Sequence, residues 1–330
     1  MADLHSVGIV GAGAWGTALA QAAARAGRQP LLFARDPAVV RSIRTDRLNP
    51  RHLADIALEP TIEATADLRD LSAADLLLLT LPAQSLRSLA RSLPQSSAPL
   101  VICAKGLETA TGQRLSQVLA GERPQARIAV LSGPNFAREV ALGLPAATTL
   151  GCADAALGEA LAEALSGPSF RVYWTDDVTG VEIGGAVKNV LAIAAGVVAG
   201  RGLGENARAG LITRGLAELA RLGEVLGARR ETLMGLAGLG DLILSASSLT
   251  SRNMAFGQAL GQGTDPQALR ARPGPLIEGV FTAAAVTRLA SERGVEVPIC
   301  AAIDAILAGR LGIADAIEAL MRRPLKMERG

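Results

Sequence analysis

The alternation of short apolar runs with helical stretches constrains the fold of this chain more than any other feature. Runs rich in Leu or β-branched residues predict seven strands: Ser6–Val10, Pro30–Ala34, Asp75–Leu81, Leu100–Cys103, Arg127–Leu131, Ala147–Leu150 and Phe170–Trp174. Between them lie stretches with helical periodicity, for example Ala14–Ala26, Ala83–Ser92 and Asp154–Leu165. Nearly continuous apolar strands separated by helices are typical of a parallel sheet that is covered on both faces.

The strand pattern ends near residue 178. Beyond it the sequence predicts only helices, over Asp177–Gly200, Asn206–Leu226, Ser251–Leu260, Thr282–Arg293 and Ala301–Ala308. The chain has 330 residues, which is enough for about two domains. We therefore predict an α/β domain over residues 1–178 and an all-α domain over residues 179–330.

Composition and charge exclude several classes of function. The net charge is +2, aromatic residues make up 2%, and no Lys/Arg run is present, so a nucleic-acid partner is not expected. The three cysteines lie far apart without a CxxC pair, which indicates a reducing compartment and no zinc site. The N-terminus lacks a basic signal-peptide region, and the run Val190–Ala199 is shorter than the ~20 residues of a membrane span. We expect a soluble, cytoplasmic protein.

A GxGxxG motif formed by Gly11, Gly13 and Gly16 follows the first predicted strand and opens an Ala-rich helix. In this context the first glycine makes a tight turn, the second lets the backbone approach a pyrophosphate, and the third allows close packing of helix on strand. The helix N-terminus then offers free N–H groups to the phosphates. The motif predicts a Rossmann-type doubly wound sheet that binds NAD(P); the alternative is a glycine-rich turn without a ligand.

The end of the second predicted strand bears on the choice of cofactor. An acidic residue there would bind the ribose 2′-OH of NAD, but this chain has Arg35 first, which can bind a 2′-phosphate. Asp36 is predicted to cap the next helix, with Pro37 at its first position. We therefore expect NADPH or NADH as cofactor, with NADPH favoured, although Arg35 could also be a solvated surface residue.

Polar residues follow two later strands. Lys105 comes directly after a buried strand, at the edge of the sheet where open α/β folds bind ligands, unless it only extends to water. The segment containing Gly133 and Asn135 also joins a strand to a helix, and its amides can face an anion. A purely structural turn is equally consistent with that segment.

The helical half contains charged residues in apolar surroundings. Lys188 and Asn189 lie inside a mostly apolar helix, where an ammonium without a partner would be costly, and Asp241 is the candidate partner. Asp241 could also be only a helix N-cap, and Lys188 only part of a structural ion pair. Ser251, Arg252 and Asn253 follow a Ser/Thr-rich stretch at a helix start, which is suited to binding phosphate. The alternative there is a simple helix start with a surface Arg.

Five stretches resemble the bacterial NAD(P)-dependent glycerol-3-phosphate dehydrogenase family. They occur in family order, span nearly the whole chain, and read GAGAWGTALA, CAKGLE, LSGPNFAREV, GAVKNVLAIAAGVVAGRGLGENARAGLITRGLAEL and AGLGDLILSASSLTSRN. The resemblance implies reversible reduction of dihydroxyacetone phosphate to sn-glycerol 3-phosphate, which supplies glycerophospholipid synthesis.

The resemblance also implies roles for individual residues. Lys188 would be the general acid/base. The residues implied around the substrate are Lys105, Gly133, Asn135, Lys188, Asp241, Ser251, Arg252 and Asn253. The residues implied at the cofactor, besides the three motif glycines, are Ala14, Trp15, Arg35, Lys105, Ala137, Arg252, Leu276 and Glu278.

Two alternatives remain at this point. A β-hydroxyacid dehydrogenase would share the Rossmann domain, the helical domain and a catalytic Lys followed by Asn. A non-catalytic NADPH sensor would keep the glycine motif and Arg35 but would not need Lys188, Asp241 and Arg252 together. We also expect a homodimer.

Overall fold

The computed structural model describes residues 4–271, 274 and 276–324. The chain divides into two compact units. The first, called here the sheet unit, comprises Met1–Lys105 and Arg114–Glu182; the second, the helical unit, comprises Gly106–Gln113 and Ile183–Gly330. The division at Glu182 lies inside one helix, four residues beyond the predicted boundary at 178.

The sheet unit is built on an eight-stranded sheet of order β3-β2-β1-β4-β5-β6-β7-β8. The strands are β1 (Ser6–Val10), β2 (Gln29–Phe33), β3 (Glu63–Thr65), β4 (Leu76–Leu79), β5 (Leu100–Ile102), β6 (Ile128–Ser132), β7 (Ala146–Gly151) and β8 (Phe170–Thr175). Its helices are α1 (Ala14–Arg25), α2 (Pro37–Thr45), α3 (Leu86–Ser92), α4 (Leu115–Glu122), α5 (Ala137–Leu142) and α6 (Ala155–Leu165). The strand order reverses between β1 and β4, which confirms the doubly wound Rossmann-type sheet and places its ligand-binding crevice at their carboxyl ends.

Two features of the sheet differ from the prediction. β3 was not predicted, because a three-residue strand is too short to show a periodic pattern. The β6–β7 pair is antiparallel, whereas all other strand pairs described are parallel. The connection from β6 to β7 is short: it contains only the six-residue helix α5, whose C-cap is Gly143 with φ +78°. A connection of this length suits an antiparallel neighbour, because only a parallel strand needs a long crossover.

The helical unit has nine α-helices in the described part of the chain, starting with α7, whose first residues belong to the sheet unit. They are α7 (Val178–Gly200), α8 (Gly204–Val225), α9 (Arg230–Leu233), α10 (Asp241–Ser247), α11 (Arg252–Gly261), α12 (Pro266–Ala271), α13 (Glu278–Glu292), α14 (Pro298–Leu307) and α15 (Ile313–Met321). By length and composition alone α7 could cross a membrane. However, 89% of its apolar 18-residue stretch is buried inside the protein, as in a core helix.

Glycines bring α7 and α11 together. A Cβ on Gly196 of α7 would lie 2.1 Å from the carbonyl oxygen of Met254, and one on Gly257 of α11 would lie 2.0 Å from that of Ile193. No side chain fits at such distances, so the two helices contact each other through their backbones. The close approach lies along the Ala/Gly-rich part of α7, and it brings the first turn of α11 close to the helix that carries Lys188.

Candidate functional site

The loop between β1 and α1 has the geometry of a nucleotide-binding turn. Gly11 has φ +120°, a conformation that favours glycine. A Cβ on Gly16 would lie 1.9 Å from the carbonyl oxygen of Gly11, so the third glycine is needed for the loop to close. A Cβ on Gly13 would meet nothing within 4 Å, which leaves open space above the middle of the loop. The first and third glycines thus shape the turn, and the second leaves room for a ligand.

Helix α1 begins with backbone amides that have no acceptor inside the helix. The first helical bond runs from the amide of Thr17 to the carbonyl of Gly13 (2.9 Å), so the preceding amides at Ala14, Trp15 and Gly16 lie before it. The Gly13 N-cap offers no side chain, and the first turn contains no acidic residue. The buried indole Nε1 of Trp15 also has no hydrogen-bond partner among the described residues. These donors fit the pyrophosphate of a dinucleotide.

Asn49 supports this loop, although nothing in the sequence pattern singled it out. Its Nδ2 donates to the carbonyl of Ala12 (2.9 Å) and lies 2.8 Å from Oγ1 of Thr17. The side chain is completely buried. Because it is far from the motif in sequence, only the tertiary structure reveals it as a support of the turn.

Arg35 lies just beyond the end of β2 and is exposed. In the described part of the chain its guanidinium makes no hydrogen bond or ion pair. The neighbouring carboxylate of Asp36 accepts from the amide of Ala38 (2.9 Å), which confirms it as the N-cap of α2, and it pairs with Arg51 (2.5 Å). The carboxylate next to Arg35 in sequence is therefore already engaged.

The polar segments after β5 and β6 meet in the sheet unit. Nζ of Lys105 donates to the carbonyl of Gly133 (2.8 Å). A Cβ on Gly133 would lie 2.8 Å from Cα of Thr148, so this strand end admits only glycine. Asn135 donates through Nδ2 to the carbonyl of Ala147 (2.9 Å), while its buried Oδ1 has no partner among the described residues. Ala137, an expected cofactor contact, is the first residue of α5.

Lys188 is the centre of a buried polar cluster in the helical unit. Its Nζ lies 3.0 Å from Oδ1 of Asp241 and donates to Oγ of Ser245 at 2.7 Å. The side chains of Lys188 and Asp241 are 9% and 2% exposed. The predicted pairing of these two residues is confirmed. Ser245 was missed; its position one helical turn after Asp241 is the only signal that could have indicated it.

A π-helical turn over Leu236–Gly240 places Asp241. A Cβ on Gly238 would lie 2.0 Å from the carbonyl oxygen of Leu233, and one on Gly184 of α7 would lie 2.6 Å from that of Ala237. The turn therefore packs directly against α7, one helical turn before Lys188. The alternative that Asp241 is merely an N-cap is wrong: the cap is Gly240, and Asp241 is the first residue of α10.

The start of α11 carries the predicted phosphate residues. Buried Ser251 is the N-cap, and its Oγ accepts from the amide of Met254 (3.4 Å). Arg252 is exposed and forms no hydrogen bond or ion pair within the described residues. The side chain of Asn253 instead points into the protein, where it is buried. Leu276 is 36% exposed just before α13, and Glu278 is the first residue of that helix.

Two other buried carboxylates have structural partners. Glu182 accepts hydrogen bonds from the guanidinium of Arg114 (2.8 Å) and from the amide and hydroxyl of Ser116 at the start of α4, while burial raises its pKa. Glu218 of α8 accepts from the amides of Ile299 (2.7 Å) and Cys300 (3.2 Å), which begin α14. Burial raises the pKa of Glu218 to about 7. Both carboxylates fix helix starts.

Comparison with known proteins identifies the family. The family model described as the N-terminus of NAD-dependent glycerol-3-phosphate dehydrogenase matches residues 6–158, and the model described as its C-terminus matches residues 177–318. A glycerol-3-phosphate dehydrogenase [NAD(P)+] of Rhodospirillum rubrum is 54% identical, and the match covers 99% of this chain and 95% of the relative. One from Azorhizobium caulinodans is also 54% identical, over 99% of this chain and all of the relative.

The fold agrees with a solved structure of similar length. The crystal structure of glycerol-3-phosphate dehydrogenase from Coxiella burnetii superposes with a TM-score of 0.90 at 38% identity, covering 97% of this chain and 99% of that chain. The matches in sequence and in fold to glycerol-3-phosphate dehydrogenases extend over both units. The glycine loop and the Lys188–Asp241 pair lie within the matched ranges. This chain therefore belongs to the NAD(P)-dependent glycerol-3-phosphate dehydrogenase family.

Proposed function

We propose that the protein catalyses the reversible NAD(P)H-dependent reduction of dihydroxyacetone phosphate to sn-glycerol 3-phosphate, which supplies glycerophospholipid synthesis. The observation that carries the proposal is the buried Lys188 ammonium, held by Asp241 and Ser245 in the same unit as Arg252, which has no partner among the described residues. A proton donor and a phosphate-binding cation are the two groups that reduction of a phosphorylated ketone needs from the protein. The bound nicotinamide supplies the hydride.

Lys188 acts as the general acid in reduction and as the general base in the reverse direction. When a ketone is reduced, its oxygen gains negative charge and takes up a proton, and a fixed ammonium can stabilise the charge and donate the proton. The contacts with Asp241 (3.0 Å) and Ser245 (2.7 Å) limit the positions that Nζ can take. Such prior fixation lowers the cost of orienting the acid in the transition state.

Arg252 binds the substrate phosphate. It is exposed, carries no partner in the described part of the chain, and begins a ten-residue helix whose N-terminal amides favour an anion. A guanidinium can form two parallel hydrogen bonds with a phosphate. Lys105, Gly133, Asn135, Ser251 and Asn253 complete the residues that we assign to the substrate side.

The cofactor is held by the loop from Gly11 to Gly16 and by the first amides of α1. Arg35 is assigned to the 2′-phosphate, so NADPH is preferred over NADH. The engagement of Asp36 by Ala38 and Arg51 supports this preference, because the carboxylate next to Arg35 in sequence already has two partners. Ala14, Trp15, Lys105, Ala137, Arg252, Leu276 and Glu278 are the further contacts we assign to the cofactor.

We further propose that the protein is a homodimer located in the cytoplasm. The dimer is tested by sedimentation of the purified protein, where a single species of twice the chain mass is expected. The location is tested by cell fractionation, with the protein expected in the soluble cytoplasmic fraction.

The experiment that tests the reaction is oxidation of NADPH, followed by absorbance, with and without dihydroxyacetone phosphate. We expect rapid oxidation with this substrate and little with unphosphorylated dihydroxyacetone or with 2-oxo acids at equal concentration. Preference for an oxo acid would instead support a hydroxyacid dehydrogenase. Binding of NADPH without oxidation in the presence of any of these compounds would support a sensor.

A further inference from the structure

Three helices of the helical unit meet at one chain of hydrogen bonds. The amide of Gly279 donates to Oδ1 of Asn253 (3.0 Å), and Nδ2 of Asn253 donates to Oδ1 of Asn189 (2.9 Å). Nδ2 of Asn189 in turn donates to the carbonyl of Gly185 (3.3 Å). These residues lie on α13, α11 and α7, and we call Asn189, Asn253 and Gly279 the junction. Aligned hydrogen bonds in a buried setting strengthen one another.

The junction caps a helix that lacks a cap of its own. Ile277 is the N-cap of α13 and has no side-chain oxygen to accept from the first amides. These amides have no acceptor inside the helix. Asn253 therefore does from α11 what an N-cap residue ordinarily does from the same helix.

Close packing fixes the position of Gly279. A Cβ there would lie 2.7 Å from three atoms: the carbonyl oxygen of Asn189, Oδ1 of Asn253 and a methyl of Ile193. A methyl group cannot be inserted without moving α13 away from α7 or breaking the bond to Asn253. The start of α13 is thus held against both other helices by contact as well as by hydrogen bonds.

Each junction residue directly follows a residue that we assign to catalysis or binding. Asn189 follows Lys188, the proposed acid. Asn253 follows Arg252, the proposed phosphate ligand, and Gly279 follows Glu278, a proposed cofactor contact. Consecutive residues share a peptide plane. A hydrogen bond that fixes a junction residue therefore also limits the backbone positions that the residue before it can take.

We infer that the junction is a positioning device that sets Arg252 and Glu278 relative to Lys188, and that the Asn253 side chain acts through it. The side chain is 9% exposed, and both its oxygen and its nitrogen are engaged by protein groups. The assignment of Asn253 to the substrate side is thereby refined: its amide is a positioning group. This inference rests on the proposed function for the roles of the three preceding residues.

The test uses two variants that damage the junction in different ways. Asn253→Asp keeps the shape and the acceptor for Gly279 but places a carboxylate against Oδ1 of Asn189. Gly279→Ala leaves Asn253 chemically intact and inserts a methyl into the 2.7 Å contacts. The matched control is Gly210→Ala on α8, where a Cβ meets nothing within 4 Å. Asn253→Ser replaces Asn253→Asp if the buried carboxylate prevents folding.

The measurements are NADPH affinity without substrate, by fluorescence titration, and KM and kcat for dihydroxyacetone phosphate. We expect both junction variants to weaken NADPH binding and to raise KM together, each on the order of tenfold, as for loss of a buried hydrogen bond. The control is expected to match the wild type. A rise in KM alone in the Asn253 variant, with normal NADPH affinity and a silent Gly279→Ala, would overturn the inference and make Asn253 a substrate ligand.

Failure of the proposed function is separable from failure of this inference. A wild-type enzyme that does not turn over dihydroxyacetone phosphate would refute the reaction assignment. NADPH affinity needs no turnover, so the comparison of the two variants with Gly210→Ala still decides whether the junction positions the cofactor residue.

Discussion

The ammonium of Lys188 and the carboxylate of Asp241 form a 3.0 Å ion pair that is almost fully shielded from solvent. A buried pair of this kind contributes modestly when intact, but removal of one partner leaves an uncompensated buried charge. The pair therefore has two separable consequences, one for catalysis and one for stability, and mutation can distinguish them.

Replacement of Lys188 by Met is expected to reduce kcat for dihydroxyacetone phosphate by on the order of 10²-fold or more, since the general acid is lost. Lys188→Arg is not expected to restore turnover, because a guanidinium does not release its proton in this pH range. Steady-state kinetics provide the measurement. Near-normal turnover by a folded Lys188→Met protein would refute the role of this residue.

Stability is expected to respond differently. Lys188→Met leaves the buried Asp241 carboxylate without its ammonium partner, at a cost of about 3–5 kcal/mol in the free energy of unfolding. Adding Asp241→Asn removes that charge and is expected to recover most of the loss, without recovering activity. The measurement is denaturant unfolding of Lys188→Met and of the double variant Lys188→Met/Asp241→Asn. Equal free energies of unfolding for these two variants would show that Lys188 and Asp241 are not electrostatically coupled.

Arg252→Ala is expected to raise KM for dihydroxyacetone phosphate far more than KM for dihydroxyacetone, because a charge-assisted contact with phosphate is lost. The exposed guanidinium has no partner among the described residues, so the variant is expected to unfold like the wild type. Equal effects on the two ketones would show that Arg252 does not recognise phosphate.

Arg35→Ala is expected to raise KM for NADPH more than for NADH, since only NADPH carries the 2′-phosphate. Arg41→Ala is a suitable comparison, because Arg41 is also an exposed arginine of the sheet unit, on α2, and has no assigned role. The ratio of kcat/KM for the two cofactors is the quantity to measure. An unchanged ratio in Arg35→Ala would contradict the assignment.

The glycine loop permits a paired test. A methyl at Gly16 would lie 1.9 Å from the carbonyl oxygen of Gly11, so Gly16→Ala is expected to destabilise the fold by about 1–3 kcal/mol and to abolish NADPH binding. A methyl at Gly13 meets nothing within 4 Å, so Gly13→Ala is expected to fold normally and to lose affinity only. Thermal unfolding and NADPH titration separate the two effects, and normal affinity of Gly13→Ala would mean that no ligand occupies that space.

Glu218 introduces a pH dependence of stability. Burial raises its pKa from about 4.5 to about 7, so the folded state binds the proton more tightly than the unfolded state does. The stability that this group contributes is fully present below pH 4.5 and is lost as the pH rises through 7, by at most about 3 kcal/mol. Glu218→Gln is expected to flatten the fall of Tm between pH 5 and 7.5, relative to wild type and to Glu224→Gln, an exposed position on the same helix. Parallel Tm curves for wild type and Glu218→Gln would contradict this.

Much of the sheet unit could be predicted because its signals are local. The apolar runs identified seven of the eight strands, with every end within two residues of the observed one, and the Asp36-Pro37 pair correctly marked the start of α2. Strand β3 could not be predicted, because three residues are too few to show an alternating pattern of apolar side chains. The antiparallel direction of β7 could not be predicted either, because it depends on the path of the short connection from β6.

In the candidate site, too, some features could be predicted from the sequence and others could not. The pairing of Lys188 with Asp241 could be predicted, because a buried ammonium requires a partner and Asp241 directly follows the glycine-containing run Gly238-Leu239-Gly240. Ser245, Asn49 and the π-turn were missed, because each is defined by contacts between segments distant in sequence. The glycines of that turn resemble an ordinary loop until the backbone of α7 is seen against them.

The assignment of Gly106–Gln113 to the helical unit has a consequence for dissecting the protein. Leu107 has no exposed surface and belongs to the apolar core of the helical unit, and Arg288 of α13 donates to the carbonyl of Thr109 (3.0 Å). A chain cut at residue 178 would therefore keep Leu107 in the N-terminal fragment, where this apolar side chain would be separated from the core it packs in. The C-terminal fragment would have a cavity in its core where Leu107 belongs. Neither half can be cut out intact as a continuous piece of chain, so expression of separate halves is expected to yield aggregation-prone fragments, whereas the full chain folds both units together.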